Sequence, residues 1–286
     1  MNDLVQTIRV KDGRELGFAQ YGDLKGKPLF YFHGWPGSRL AAKKKDVLAK
    51  KLGIHIISPD RPGYGISDFQ KDRTLLDWPG DVVAIANFLR IKKFAILGVS
   101  GGGPYAAVCA YKIPHRLMRI GIVVGLAPTN VPGILDDLKF LVRLGWKNYD
   151  KQFVRNAGTL FHYVNARYGP RLGLHRFFFG AKADKQLYQN KMFRDAVAQS
   201  THEAFRQGYH GPLHDLKIYS DAWGFDLKDI RVKTFLWYGQ DDQNVPISMG
   251  KYYSSQLPNN TFKIYPGEGH FVAVSHLEEI LKTLTE

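Results

Sequence analysis

A chain of 286 residues, 44% of them apolar, can bury one large core. Lys and Arg outnumber Asp and Glu by 40 to 26, a formal charge of +14, but the basic residues are dispersed and no nucleic-acid-binding motif accompanies them, which sets nucleic acid aside as a partner. The lone Cys109 excludes an internal disulfide, and apolar runs such as Ile120 to Ala127 are too short to cross a bilayer; with no basic and then apolar leader after Met1, this predicts no stable membrane insertion and a cytoplasmic protein.

In chain order, Leu4 to Val10 and Leu16 to Gln20 flank an Asp12-Gly13 pair, which predicts an antiparallel hairpin. Pro28 to Phe32 and Ile54 to Ser58 read as buried strands. Between them Lys43-Lys44-Lys45 and Lys50-Lys51 read as the solvated face of a helix. A helix around Leu75 to Leu89, a strand from Phe94 to Leu97, a helix opening near Gly101 and a strand from Ile120 to Val124 continue the alternation that right-handed crossovers and a mainly parallel sheet require. From 127 to 223 the patterns are helical, with aromatic clusters at Phe161-His162-Tyr163 and Phe177-Phe178-Phe179 and no strand. Strands return at Thr234 to Tyr238 and Phe262 to Tyr265, and a helix closes the chain. The expected organisation is α/β: a core built from 1–126 and 224–286, interrupted by a helical cap insertion over 127–223.

Three motifs carry chemistry. Gly98-Val99-Ser100-Gly101-Gly102 stands between a strand and a helix, where a nucleophile elbow needs small residues around its serine. The loop His33-Gly34-Trp35-Pro36-Gly37 ends an earlier strand and offers the second donor of an oxyanion hole: the backbone amides of Gly101 and Trp35 are the candidates, since Pro36 has no N–H. His33 and Gly34 are given the supporting role of shaping that loop. Asp242 follows one late strand and His270 the next, giving the order Ser100, Asp242, His270 in which an aspartate orients the histidine that activates the serine. Asp241 is the competing acid; the spacing to Val245-Pro246 favours Asp242. His210 and His214 have helical spacing, but Gly211-Pro212 between them argues against a helix there, and no H-E-x-x-H pattern occurs, so neither metal nor cofactor is expected.

Taken together, the His33 loop, the stretch Asp60-Arg61-Pro62-Gly63-Tyr64-Gly65-Ile66-Ser67-Asp68, the Ser100 elbow, Asp242 and His270 resemble the α/β-hydrolase-fold superfamily, in the group with a helical cap. The resemblance implies a mostly parallel central sheet with an N-terminal antiparallel hairpin. The Asp60 to Asp68 stretch is assigned a structural turn and no chemistry. Ser100 stands where epoxide hydrolases and haloalkane dehalogenases use aspartate, which closes carboxylate attack to this chain. The elbow and the basic insertion also depart from proline iminopeptidases. The expectation is a serine hydrolase acting on a small-molecule carboxylic ester or lactone through an acyl-enzyme. A proline-iminopeptidase-type aminopeptidase, a cofactor-free C–C hydrolase or perhydrolase, and a non-catalytic ligand-binding member of the fold stand as alternatives.

Overall fold

The computed structural model describes residues 4–138, 140–149, 151–172 and 181–286. Eight strands form one sheet in the order β1-β2-β4-β3-β5-β6-β7-β8. β1 (Leu4–Arg9) and β2 (Glu15–Gly22) make the N-terminal hairpin, and β2 also runs antiparallel to β4 (Ile54–Pro59). From β4 through β3 (Lys27–Phe32), β5 (Phe94–Val99), β6 (Leu117–Val123), β7 (Thr234–Gly239) and β8 (Asn260–Tyr265) every pairing is parallel. The mostly parallel sheet with its antiparallel entry is the one the patterning predicts.

Parallel neighbours need crossovers, and the crossover helices bury both faces of the central strands: β4 is buried along its whole length and β5 except at Val99. α1 (Asp46–Lys51) packs on β2 and β4, α2 (Trp78–Phe88) on α3 (Gly103–Lys112), and α3 in turn on β5 and β6. After the last strands, α9 (Ile247–Gln256) covers β7 and β8, α10 (Val272–Ser275) follows His270, and α11 (Leu277–Thr285) lies across β3, β5 and β6.

Between β6 and β7 the described residues form α4 (Phe140–Lys147), α5 (Gln152–Leu172), α6 (Lys182–Gln189), α7 (Lys191–Ala204) and α8 (His210–Ser220), with no strand among them. Phe177-Phe178-Phe179 lies outside the described residues. α8 corrects one sequence expectation: Gly211-Pro212 does not prevent a helix, because Pro212 sits in the first turn, where its missing N–H has no helical acceptor to lose. Both His210 and His214 lie against the Phe69 ring, but His210 also stacks on Tyr209 whereas His214 Nε2 is 2.7 Å from the Arg73 carbonyl.

The Lys43 to Lys51 stretch also departs from a uniformly solvated face. It begins as a 3-10 helix, Arg39–Lys45, and the Lys45 ammonium turns inward to donate to the Ala41 carbonyl at 2.9 Å, 4.6 Å from the Tyr31 ring centre. Burial pulls its pKa down to about 8.

Helices α7 and α8 are tied to the sheet by buried charge. Arg39 Nη1 reaches both Asp60 Oδ2 and Glu203 Oε1 at 2.7 Å, and the Ser38 amide donates to Ser200 Oγ at 3.0 Å. Asp215 on α8 is fully buried and takes Arg61 Nε and the Tyr64 hydroxyl at 2.7 Å on one oxygen, the Tyr105 hydroxyl at 2.7 Å and Arg73 Nη2 on the other. Burial alone would raise the Asp215 pKa, yet the two guanidinium groups hold it far below the usual carboxylate range. Removing a single partner from such a pair strands the opposite charge in low dielectric. Asp215→Ala is therefore expected to lower unfolding free energy by about 3–5 kcal/mol in urea titrations. A midpoint close to that of the parent protein would mean that the stranded guanidinium groups find other compensation.

Candidate active site

Strand β5 delivers Ser100 to its carboxyl end with φ of +54°, in the left-handed region that side-chain-bearing residues adopt at a cost of about 1–3 kcal/mol. The turn fits only because its neighbours are small: a Cβ on Gly98 would stand 2.5 Å from the Gly102 carbonyl oxygen, and one on Gly102 would stand 2.3 Å from that of Phe32. A short 3-10 helix, Ser100–Gly102, leads directly into α3, so its first amides have no partner within the helix and stand beside the serine.

The loops after β7 and β8 bring the other two residues to the same place. His270 Nε2 lies 3.1 Å from Ser100 Oγ, and His270 Nδ1 lies 2.7 Å from Asp242 Oδ2. Asp242 is buried and its second oxygen accepts the Asn244 and Val245 amides at 2.8 and 3.0 Å, which fixes the carboxylate plane. Asp241 is exposed, and its amide is used to bind the Glu268 carbonyl. Burial disfavours the His270 imidazolium, but the Asp242 carboxylate, helped by Asp184, outweighs it and holds the pKa above the ordinary histidine value.

The loop after β3 lies against the elbow. A Cβ on Gly34 would stand 3.3 Å from Ser100 Cβ, and one on Gly101 would stand 3.0 Å from Trp35 Cβ. His33 is fully buried, with Nδ1 2.9 Å from the Gly34 carbonyl, and burial together with Arg61 pushes its pKa well down. That leaves a neutral ring whose Nδ1–H braces its own loop. The Trp35 indole donates to the Pro212 carbonyl at 2.8 Å, linking the loop to α8.

A family profile for the alpha/beta hydrolase fold matches residues 27–277, spanning every element just described except the N-terminal hairpin and the last helix. The chain belongs to the α/β-hydrolase family. Among curated proteins this hydrolase is similar to a bifunctional esterase/perhydrolase of Acinetobacter calcoaceticus, 25% identical over 284 residues and covering 97% of both chains. It is also similar to a non-heme haloperoxidase of Rhodococcus erythropolis, 25% identical over 268 residues and 92% of both chains. Among solved structures, an esterase from Exiguobacterium antarcticum superposes with a TM-score of 0.70 at 19% identity, covering 98% of this chain and 97% of that one. A bromoperoxidase from Bacillus anthracis gives 0.71 at 18% identity over 98% of both, a likeness of fold.

Two further groups of the hydrolase touch this centre and were not legible as site residues. Asp184, on α6, accepts the His270 and Phe271 amides at 2.9 and 3.2 Å, while Phe271 is held between Tyr188 and Phe193, with ring centroids 6.3 and 4.8 Å away. The helices inserted between β6 and β7 thus grip the backbone that carries His270. Arg61, which the sequence places in a plain structural turn, reaches the carbonyls of His33 at 2.6 Å and Gly34 at 3.2 Å. A cleft of about 420 Å³ between Thr129, Asp136, Trp146 and Lys147 includes none of Ser100, Asp242 or His270 in its lining. No group of three or more metal-binding side chains occurs among the described residues, and no helix among them is long and apolar enough to cross a membrane.

Proposed function

We infer that this α/β hydrolase is a serine esterase or lactonase in which Ser100 attacks the acyl carbon, His270 is the general base and acid, and Asp242 orients the histidine. The observation that carries the reading is the continuous relay of 3.1 Å from Ser100 Oγ to His270 Nε2 and 2.7 Å from His270 Nδ1 to Asp242 Oδ2. With Nδ1–H donated to the carboxylate, the free Nε2 lone pair faces the hydroxyl proton. As Oγ bonds to the acyl carbon, Nε2 takes that proton and the carbonyl pair moves onto oxygen, where the Trp35 and Gly101 amides receive it. Collapse expels the alkoxide, which leaves with the proton from Nε2. A water, deprotonated by the same nitrogen, then releases the acid and restores Ser100.

The segment 127–223 is the cap in this reading, and from its described residues His162 packs edge-on against Trp35 of the loop after β3, with ring centroids 4.8 Å apart. A second reading, perhydrolysis, is favoured by one specific observation, the relative named as a bifunctional esterase/perhydrolase. It uses the same acyl-enzyme with hydrogen peroxide in place of water, giving a peracid. A fluorophosphonate probe tests the common step: the folded protein is expected to be labelled at one site, and Ser100→Ala is expected to abolish the label. Absence of labelling, or labelling that survives the substitution, overturns both readings. Peracid formation from ester and peroxide then separates the second from the first.

A further inference from the structure

The Asp60 to Asp68 turn buries a guanidinium that the reaction scheme above leaves unused. Arg61 is 1% exposed, lies 4.8 Å from the ring centres of both Tyr64 and Tyr105, and is held through Nε by Asp215 on α8. Its remaining nitrogens point at the backbone of the oxyanion loop, Nη1 donating to the His33 carbonyl at 2.6 Å and Nη2 to the Gly34 carbonyl at 3.2 Å. The Gly34 oxygen also receives His33 Nδ1–H at 2.9 Å.

The peptide joining Gly34 to Trp35 is trans, the cis bond of this loop being the next one, Trp35–Pro36. In a planar trans peptide the C=O and N–H point in opposite directions, so drawing the Gly34 oxygen toward a buried cation turns the Trp35 N–H away from it. The peptide lies beside the nucleophile, since a Cβ on Gly34 would stand 3.7 Å from Ser100 Oγ. The hydrogen bonds of the described residues include none donated by the Trp35 backbone N–H. A cation on the carbonyl of a peptide also withdraws electron density along it and strengthens the opposite N–H as a donor, an effect of order 10–30% per linked bond.

We propose that Arg61 is a positioning residue for the oxyanion hole: anchored by Asp215, it orients and polarises the Gly34–Trp35 peptide so that the Trp35 N–H meets the developing oxyanion. This deepens the serine-hydrolase reading and rests on it. Because the effect grows only as charge develops, it belongs to the transition state and not to substrate binding. Arg61→Met weakens the donor without deleting it, so its effect lies below the roughly hundredfold loss of removing an oxyanion donor outright.

The test pairs a variant with a measurement on the unmodified protein. In Arg61→Met, kcat toward a p-nitrophenyl ester is expected to fall by about tenfold to thirtyfold with KM within about twofold, and affinity for a trifluoromethyl ketone, whose hemiketal oxygen occupies the hole, is expected to weaken by the same factor. Arg61→Lys keeps a buried cation beside Asp215 but cannot serve the carboxylate and two carbonyls at once, and is expected to recover only part of the loss. A proportional rise in KM, or ketone affinity unchanged in folded Arg61→Met, overturns the proposal. Should neither variant fold, the unmodified protein decides: with its five tryptophans labelled with nitrogen-15, the Trp35 amide, assigned by its absence in Trp35→Phe, is expected to move downfield when the fluorophosphonate reacts. A labelled protein whose Trp35 amide stays in place removes this inference and the Trp35 donor with it, while attack by Ser100 stands. A protein that never takes the label removes the hydrolase reading with it.

Discussion

His270→Ala is expected to slow ester turnover by roughly a million-fold, and the Ser100→Ala,His270→Ala double variant to be scarcely slower. A serine hydroxyl is a poor nucleophile at neutral pH, and in the proposed reaction the imidazole at 3.1 Å takes its proton as the acyl carbon is attacked. Without the base the hydroxyl is idle, and without the hydroxyl the base has nothing to activate, so the two losses do not add. What remains in either variant is the contribution of the oxyanion donors and of binding, which touches neither side chain. Steady-state rates with a p-nitrophenyl ester, taken on protein whose circular dichroism matches the parent, measure the loss. A single variant within tenfold of the parent would show that His270 is not the base. His33 is not available as a substitute, because its Nδ1 is committed to the Gly34 carbonyl and the ring is fully buried.

How much of this centre could be read from the chain follows from the range over which each constraint acts. Ser100 was legible because the elbow is local: strand, strained turn and helix occupy adjacent residues, and the close approaches at Gly98 and Gly102 write themselves as glycine. Asp242 and His270 were legible because each follows a strand by a few residues, so the sheet order carries both to one edge. The mainly parallel pairing itself followed from the alternation of apolar runs with helical segments.

Arg61, Asp184 and Asp215 carry no comparable local signal. The Arg61–Asp215 pair spans 154 positions and the Asp184–His270 contact 86, and an acid on an inserted helix looks in sequence like any solvated one. Asp215 was further hidden by the Gly211-Pro212 pair, which reads as a break although Pro212 falls in the first helical turn. Lys45 was misread for a different reason, since an irregular 3-10 start rotates it off the lysine face and onto Tyr31. For Arg61, Asp184 and Asp215 the cause is that buried charge is compensated across the fold, between segments that no periodicity links; for Lys45 it is the local change of helix type.

Asp242→Asn is expected to lower kcat by about ten-thousand-fold while leaving the fold intact, and to move the pH profile in a direction that identifies the cause. Asp242 uses one oxygen for the Asn244 and Val245 amides and the other for His270 Nδ1. In the asparagine variant those two amides retain the side-chain oxygen, so the new NH2 group faces Nδ1 as a donor where an acceptor stood. The imidazole answers by placing its proton on Nε2, against Ser100 Oγ, where it can no longer accept one. In the parent protein the carboxylate holds the imidazolium above its ordinary pKa of about 6.5, and only the neutral ring can act as a base, so activity is expected to be lost as pH falls through that raised value. Removing the carboxylate leaves desolvation dominant, which favours the neutral ring, so the acid limb of kcat/KM in the variant should lie at lower pH than in the parent. Profiles between pH 4 and 9 measure both effects. An acid limb that does not move would mean that another carboxylate holds the imidazolium, and Asp184, already bonded to the His270 amide at 2.9 Å, is the group in place to do so.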